Sequence, residues 1–241
     1  MVSPVIVALD VATLEEANVL ARSLSGEVGG FKVGMELLMG EGPRAISTIA
    51  DIGLPVFADA KLHDIPNTVG KAAARILSAG ARWVTVHGAG GPEMMESAVA
   101  GMDGQGVLAV TMLTSLDSSD LPQIGIPDTP AGYVATIAAL AAAASCEGVI
   151  CSPAEIGTVR EAEPSLQIFT PGVRPGTTDS DDQKRTASPQ RALADGADYL
   201  VIGRPITAAA NPVLAAQEIA AAIAAVERPG RAMVDMSRPQ T

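Results

Sequence analysis

Rings are scarce in this chain: three Phe, two Tyr and one Trp among 241 residues. A core of this size must therefore be built from Val, Ile, Leu and Ala, in a sequence that is 48% hydrophobic. Basic residues are few as well, 16 Lys and Arg against 27 Asp and Glu, for a formal net charge of −11. That balance argues against a nucleic-acid surface and against an acidic membrane patch, so neither partner is expected. An anionic small molecule would have to be held by a few local cations working against an unfavourable mean field. Cysteine is limited to Cys146 and Cys151, whose spacing matches no metal site. Both read as small buried hydrophobes in a reducing compartment. No apolar run reaches the ~20 residues that a membrane helix needs. Met1-Val2-Ser3-Pro4 enters a strand without a basic leader or a cleavage pattern. The expectation is a soluble, cytoplasmic protein.

Short β-branched runs recur along the whole length: Pro4–Leu9, Gly30–Val33, Val56–Leu62, Trp83–His87, Val107–Thr111, Gly148–Cys151, Gln167–Thr170 and Tyr199–Ile202. Near-continuous apolar runs of this kind suit strands buried on both faces, as a parallel sheet requires. Between them lie Ala- and Leu-rich stretches with helix start signals. Thr13 with Glu16 and Ser152 with Glu155 have the spacing of capping boxes, and Pro153 suits a first helical position. Ser188-Pro189 and Asn211-Pro212 start two further helices, while Gly53, Gly80 and Gly196 close helices before the next strand. Right-handed crossovers leave a closed barrel or an open doubly wound sheet. Eight units of ~30 residues close a barrel, and no GxGxxG follows the first strand. The expected architecture is therefore α/β, a (β/α)8 TIM barrel forming a single domain over residues 1–241. From Arg228 onward the chain is polar and proline-bearing, and a loosely held tail is expected over 228–241.

In such a barrel, chemistry sits at the C-terminal ends of the strands. A strand's period of two puts Asp59 and Lys61 on one side with Phe57 below them, while Val56, Ala58, Ala60 and Leu62 face the helices. Lys32 ends the neighbouring strand and Asp10 the one before it. Four ionisable groups converge on one mouth. An ion-pair network that only fixed register would carry a desolvation cost that apolar residues would avoid, so a functional site is the better account.

The stretch Asp59-Ala60-Lys61-Leu62-His63-Asp64-Ile65-Pro66-Asn67-Thr68 resembles the DxKxHDIPNT signature of the orotidine 5′-phosphate decarboxylase family. DxKxxD alone is shared with sister sugar-phosphate enzymes; the Ile-Pro-Asn-Thr continuation carries the specificity. The resemblance extends through Leu9-Asp10, Phe31-Lys32-Val33-Gly34, Val86-His87 with Gly90-Gly91, Leu113-Thr114-Ser115, Pro171-Gly172-Val173-Arg174-Pro175 and Ile202-Gly203-Arg204-Pro205. Where the family often has Gly-Asp-Gln, this chain has Asp181-Asp182-Gln183, and Lys184 to Pro189 also varies from the usual wording.

The resemblance implies a lyase that converts orotidine 5′-phosphate to UMP and CO2, the last step of pyrimidine nucleotide synthesis. Loss of CO2 leaves a carbanion at C6 with no electron sink. The chain has no metal cluster, dinucleotide fingerprint or sign of a pyridoxal lysine, so no cofactor and no metal are expected, and charge must be stabilised electrostatically. Lys61 is the expected proton donor to C6. Asp59 and Asp64 would flank the departing carboxylate, and Lys32 with Asp10 would reach the ribose. Thr114, or its neighbour Ser115, is placed for the pyrimidine amide edge. By resemblance, Gln183, Gly203 and Arg204 hold the phosphate, with Arg174 in the same region, as suits the loops after strands 7 and 8. The polar stretch 174–188 reads as a disordered loop or as a lid, and a lid is favoured if Gln183 reaches the phosphate. The resemblance also implies a homodimer in which the partner supplies the residues matching Asp64 and Thr68.

Three other readings compete. A Mg2+-dependent sugar-phosphate decarboxylase or synthase would share DxKxxD and use its acids as ligands. A phosphosugar isomerase would share the phosphate corner but has no use for the Lys32, Asp59, Lys61 and Asp64 array. A barrel that binds nucleotide without turnover would not need Lys61. His63 and His87 read first as structural hydrogen-bonders, and Trp83, Met94 and Met95 as core.

Overall fold

The computed structural model describes residues 3–175 and 186–226. Eight strands alternate with helices: β1 (Val5–Ala8), β2 (Gly30–Val33), β3 (Val56–Leu62), β4 (Trp83–His87), β5 (Gly106–Val110), β6 (Gly148–Ile150), β7 (Gln167–Thr170) and β8 (Tyr199–Ile202). Each pairs in parallel with the next, and β8 returns to β1 with Ile6 opposite Val201, closing the barrel. The structure is a (β/α)8 barrel, and every strand runs within two residues of its predicted bounds.

The shell contains α1 (Leu14–Leu24), α2 (Met35–Glu41), α3 (Arg44–Ala50), α4 (Pro66–Ser78), α5 (Pro92–Gly101), α6 (Pro130–Ala143), α7 (Ile156–Ala162), α8 (Pro189–Ala194), α9 (Arg204–Thr207) and α10 (Pro212–Ile223). Their starts follow the local chemistry. The Thr13 hydroxyl accepts from the Glu16 N–H while the Glu16 carboxylate accepts from the Thr13 N–H. The Glu155 carboxylate likewise accepts from the Ser152 N–H at 2.9 Å, although Pro153–Glu155 forms a 3-10 turn ahead of α7. Ser188 and Asn211 cap α8 and α10 through their side-chain oxygens. Gly53, Gly80 and Gly196 have φ of 90°, 98° and 110°, which a residue with a Cβ rarely adopts.

Two cores result. The larger lies between the barrel and its helices and is almost wholly aliphatic. The smaller fills the lumen, where Phe57, Trp83, Phe169 and Tyr199 gather four of the chain's few rings with Ile6, Ala8, Leu108 and Val201. Phe169 stacks on Tyr199 at 4.4 Å and meets Trp83 and Phe57 edge-on at 5.2 and 5.9 Å. Trp83, Met94 and Met95 are buried as core, and both cysteines are buried free thiols. Burial pushes the Cys146 thiol up to about 12 and that of Cys151 higher still, which makes both inert. No helix among the described residues is long and apolar enough to cross a membrane.

Candidate active site

Asp10, Lys32, Asp59 and Lys61 line one cavity of about 690 Å³ at the C-terminal rim. Ala8, Lys32 and Phe57 are lateral partners across β1, β2 and β3, so Lys32 stands in the inward-facing layer. Its Nζ lies 3.0 Å from Asp10 Oδ1 and 3.4 Å from Asp59 Oδ2, and Lys61 Nζ lies 2.7 Å from Asp59 Oδ1. The four side chains form a chain of alternating charge. Val110, Met112, Ile150 and Val201 supply apolar wall beside it.

Burial acts most strongly on both inner members, and in each case opposite charge outweighs it. Desolvation alone would lower the pKa of Lys32, but attraction to Asp59 and Asp10 raises it overall. Desolvation would raise the pKa of Asp59, but Lys32, Lys61 and a hydrogen bond from Thr85 lower it overall. Both groups are therefore ionised at neutral pH. The contribution of Asp59 to stability is present above the ordinary carboxylate range and lost as pH falls through its depressed value. That of Lys32 is present below the ordinary lysine range and lost as pH rises through its raised one.

Strand β3 is irregular where it carries the site. Ala58 pairs with Val84, but the next register partner of β4, Val86, meets Leu62. Four steps along β3 thus match two along β4, and within the excess Lys61 has φ of 47°. A lysine in the left-handed region is strained, typically by about 1–3 kcal/mol. Thr85, fully buried on β4, fills the gap: its Oγ1 accepts from the Lys61 N–H at 2.9 Å and donates to Asp59 Oδ1 at 3.0 Å. Sequence reasoning missed Thr85, whose only signal was a hydroxyl at an inward strand position between Trp83 and His87. It also missed the reason for Gly34: a Cβ there would lie 2.8 Å from Asp10 Oδ1 and 2.9 Å from Lys32 Nζ, breaking into the pair.

Of the other candidates, Thr114, Arg174, Gly203 and Arg204 line the same cavity, whereas Ser115 does not. A Cβ on Gly203 would come no nearer than ordinary contact, 3.5 Å from Ala8 Cβ, 3.8 Å from Asp10 Oδ2 and 3.9 Å from the Ala8 carbonyl oxygen, so the packing of the protein itself does not demand glycine there. Asp64 and Thr68 are exposed and are not brought to the cavity of their own chain. Asp64 Oδ1 accepts from the Ile65 N–H at 2.7 Å, beside an Ile65 side chain that is itself exposed. Gln183 lies outside the described residues, as do most of the expected lid and the tail from Arg228. The two ends of the segment that lies outside the described residues are held together: Val173 bridges Ala187, and the Arg174 N–H donates to the Ala187 carbonyl at 3.0 Å.

The expectation for the histidines needs correction. His63 and His87 face each other with ring centroids 5.3 Å apart, and neither imidazole makes a hydrogen bond among the described residues. Burial, followed by the proximity of His63 and Lys61, lowers the pKa of His87 and favours its neutral form.

Comparisons with known proteins agree with this geometry. A family model described as "Orotidine 5′-phosphate decarboxylase / HUMPS family" matches residues 3–219. The orotidine 5′-phosphate decarboxylase of Sphingopyxis alaskensis is 45% identical over 92% of this chain and 100% of its own. That of Anaeromyxobacter sp. (strain K) is 47% identical over 90% and 96%. The crystal structure of orotidine 5′-phosphate decarboxylase from Lactobacillus acidophilus superposes with a TM-score of 0.82 at 34% identity, covering 92% of this chain and 100% of that one. An uncharacterized conserved protein from Geobacillus kaustophilus gives 0.80 at 36% identity, covering 91% and 100%.

Proposed function

This chain belongs to the orotidine 5′-phosphate decarboxylase / HUMPS family, and from that premise we propose that it decarboxylates orotidine 5′-phosphate to UMP without a cofactor, with Lys61 as proton donor. The observation that carries the reading is the unbroken Asp10–Lys32–Asp59–Lys61 array on one wall of the cavity. The C6–carboxylate bond breaks, CO2 leaves, and the electron pair stays on C6. An ammonium fixed beside that carbon stabilises the charge and then delivers its proton, after which water reprotonates the amine. Asp59 holds Lys61 at 2.7 Å and is itself fixed by Lys32, so the donor is aimed before substrate arrives.

The remaining roles follow the rim. Lys32 and Asp10 face the ribose, and Thr114 is the hydrogen-bonding group for the pyrimidine edge. Gly203, Arg204, Arg174 and Gln183 receive the phosphate, with the polar stretch 174–188 as a lid over it. The room beside Gly203 supports this, because a glycine that packing does not require suits close approach of a ligand to the backbone. The setting is the cytoplasm, in keeping with two buried free thiols. Loss of orotidine 5′-phosphate absorbance on mixing with the purified protein tests the whole reading; an unchanged spectrum would end it.

Chelation separates this reading from the Mg2+-dependent sister chemistry. Asp10 and Asp59 are engaged by ammonium groups, which repel a metal cation from the same oxygens. EDTA should leave the rate unchanged, whereas loss of activity restored by Mg2+ would move the protein to the sister class.

The reading includes a homodimer with shared sites, each completed by Asp64 and Thr68 of the other chain. Their exposure, and the apolar Ile65 beside them, suit a loop that reaches out of its own mouth. Lys61→Ala and Asp64→Ala homodimers should each be nearly inactive. Refolding the two together makes about half the dimers mixed, each with one site carrying both lesions and one carrying neither. About a quarter of wild-type site activity should return. If exchange is confirmed by mass and nothing returns, Asp64 acts within its own chain.

A further inference from the structure

We infer that Thr85 is a positioning residue for the decarboxylation, its hydroxyl locking the bulge of β3 so that Asp59 and the Lys61 ammonium meet at one point of the cavity. The inference rests on the reading of Lys61 as proton donor. Where β3 gains two residues over β4, the Lys61 N–H has no ladder partner, and a buried amide left unpaired is costly. The Thr85 hydroxyl is what receives it, at 2.9 Å. Its single proton is then directed to Asp59 Oδ1 at 3.0 Å, the same oxygen that accepts from Lys61 Nζ at 2.7 Å. A closed ring results: backbone amide of Lys61, hydroxyl of Thr85, carboxylate of Asp59, ammonium of Lys61. Each bond in it restrains the donor from a different end.

Lys61 also holds φ of 47°, which an L side chain keeps only when its surroundings enforce it. Without the hydroxyl, the amide loses its acceptor and Asp59 loses a donor, so the backbone is free to relax toward the extended region. Nζ sits at the far end of a long side chain and moves with it. Thr85 does not line the cavity, so its influence on the reaction passes through these two residues.

Three variants separate positioning from packing. Thr85→Val keeps the volume and removes the hydroxyl; Thr85→Ser keeps the hydroxyl and removes a methyl; Thr85→Ala removes both. A donor displaced by an ångström costs about 100-fold, so Thr85→Val should lose about that much kcat. Its UMP affinity should stay within about threefold, since the proposed phosphate and ribose contacts lie on other strands. Thr85→Ser should keep kcat within about threefold although it has lost the methyl, so activity follows the hydroxyl and not the packed volume. If Thr85→Val does not fold, the comparison passes to Ala against Ser, which differ only in the hydroxyl, with Ala about 100-fold slower. Amide hydrogen exchange at Lys61 gives a readout independent of substrate, slow in the wild type and faster in Thr85→Val. Should the wild type leave orotidine 5′-phosphate untouched, the substrate assignment falls while the exchange arm still decides whether Thr85 holds Lys61. Wild-type kcat in Thr85→Val, a Ser variant as slow as the Val variant, or unchanged Lys61 exchange would each overturn the inference.

Discussion

Lys61→Ala should leave less than about 1% of wild-type kcat on orotidine 5′-phosphate, while UMP still binds within roughly tenfold. The asymmetry follows from when the ammonium matters. A bound product carries no charge at C6, so truncating the lysine removes little from its affinity. The carbanion-like transition state loses both its counter-charge and its proton source. The variant should also fold, because Asp59 is not stranded: Lys32 remains 3.4 Å from Oδ2 and Thr85 3.0 Å from Oδ1. The Lys61 side chain is 30% exposed toward the cavity, so water can occupy the space it leaves. Single-turnover kinetics together with a UMP titration make the measurement. A variant that turned over at more than about 1% of the wild-type rate would take the acid's role away from Lys61.

Arg204→Ala should weaken kcat/KM for the phosphorylated substrate by about 2–5 kcal/mol, the usual cost of removing one partner from a desolvated charge pair. The unphosphorylated nucleoside should be hardly affected. With a net charge of −11, the protein as a whole repels a phosphate dianion, and the task of holding it falls on the few cations at the rim. The Asp10–Lys32–Asp59–Lys61 array offers no surplus, since its two positive charges are matched by two negative ones. A guanidinium fork can engage two phosphate oxygens together, which an ammonium cannot, so Arg204→Lys should recover only part of the loss. Measuring both substrates on one preparation decides the point: equal damage to the two would remove Arg204 from the phosphate site.

The strands were legible because parallel-barrel strands are mostly apolar on both faces, and most of these are followed at once by glycine, proline or an ionisable residue. The run expected from Pro4 to Leu9 became Val5–Ala8, and that from Gly148 to Cys151 became Gly148–Ile150. The facing of Asp59 and Lys61 was legible for a less obvious reason. The irregularity in β3 adds two residues, an even number, so inward and outward positions alternate across it as they would without it. The irregularity itself left no mark in the sequence. A bulge usually advertises itself with glycine, and here a lysine takes the left-handed conformation because Thr85 on the neighbouring strand compensates. That compensation is tertiary, and a threonine between valines reads from sequence as nothing more than a good strand former. The histidines failed in the opposite way, expected to bond and found instead ring against ring.

The gathering of rings in the lumen has an optical consequence. Trp83, the only indole of the chain, sits 1% exposed in the barrel interior with its Nε1 donating to Glu147 at 2.8 Å and the Arg82 guanidinium 5.0 Å from its ring centre. Tyr199 lies 5.6 Å away, close enough to pass its excitation to the indole. Indole emission of this protein, excited at the red edge where tyrosine does not absorb, is therefore a report from the lumen alone. Opening of the strands shifts it to longer wavelength, and loosening of the outer helices over an intact barrel leaves it unchanged. Comparing emission with far-ultraviolet dichroism during unfolding consequently tells the two layers of the fold apart without any label.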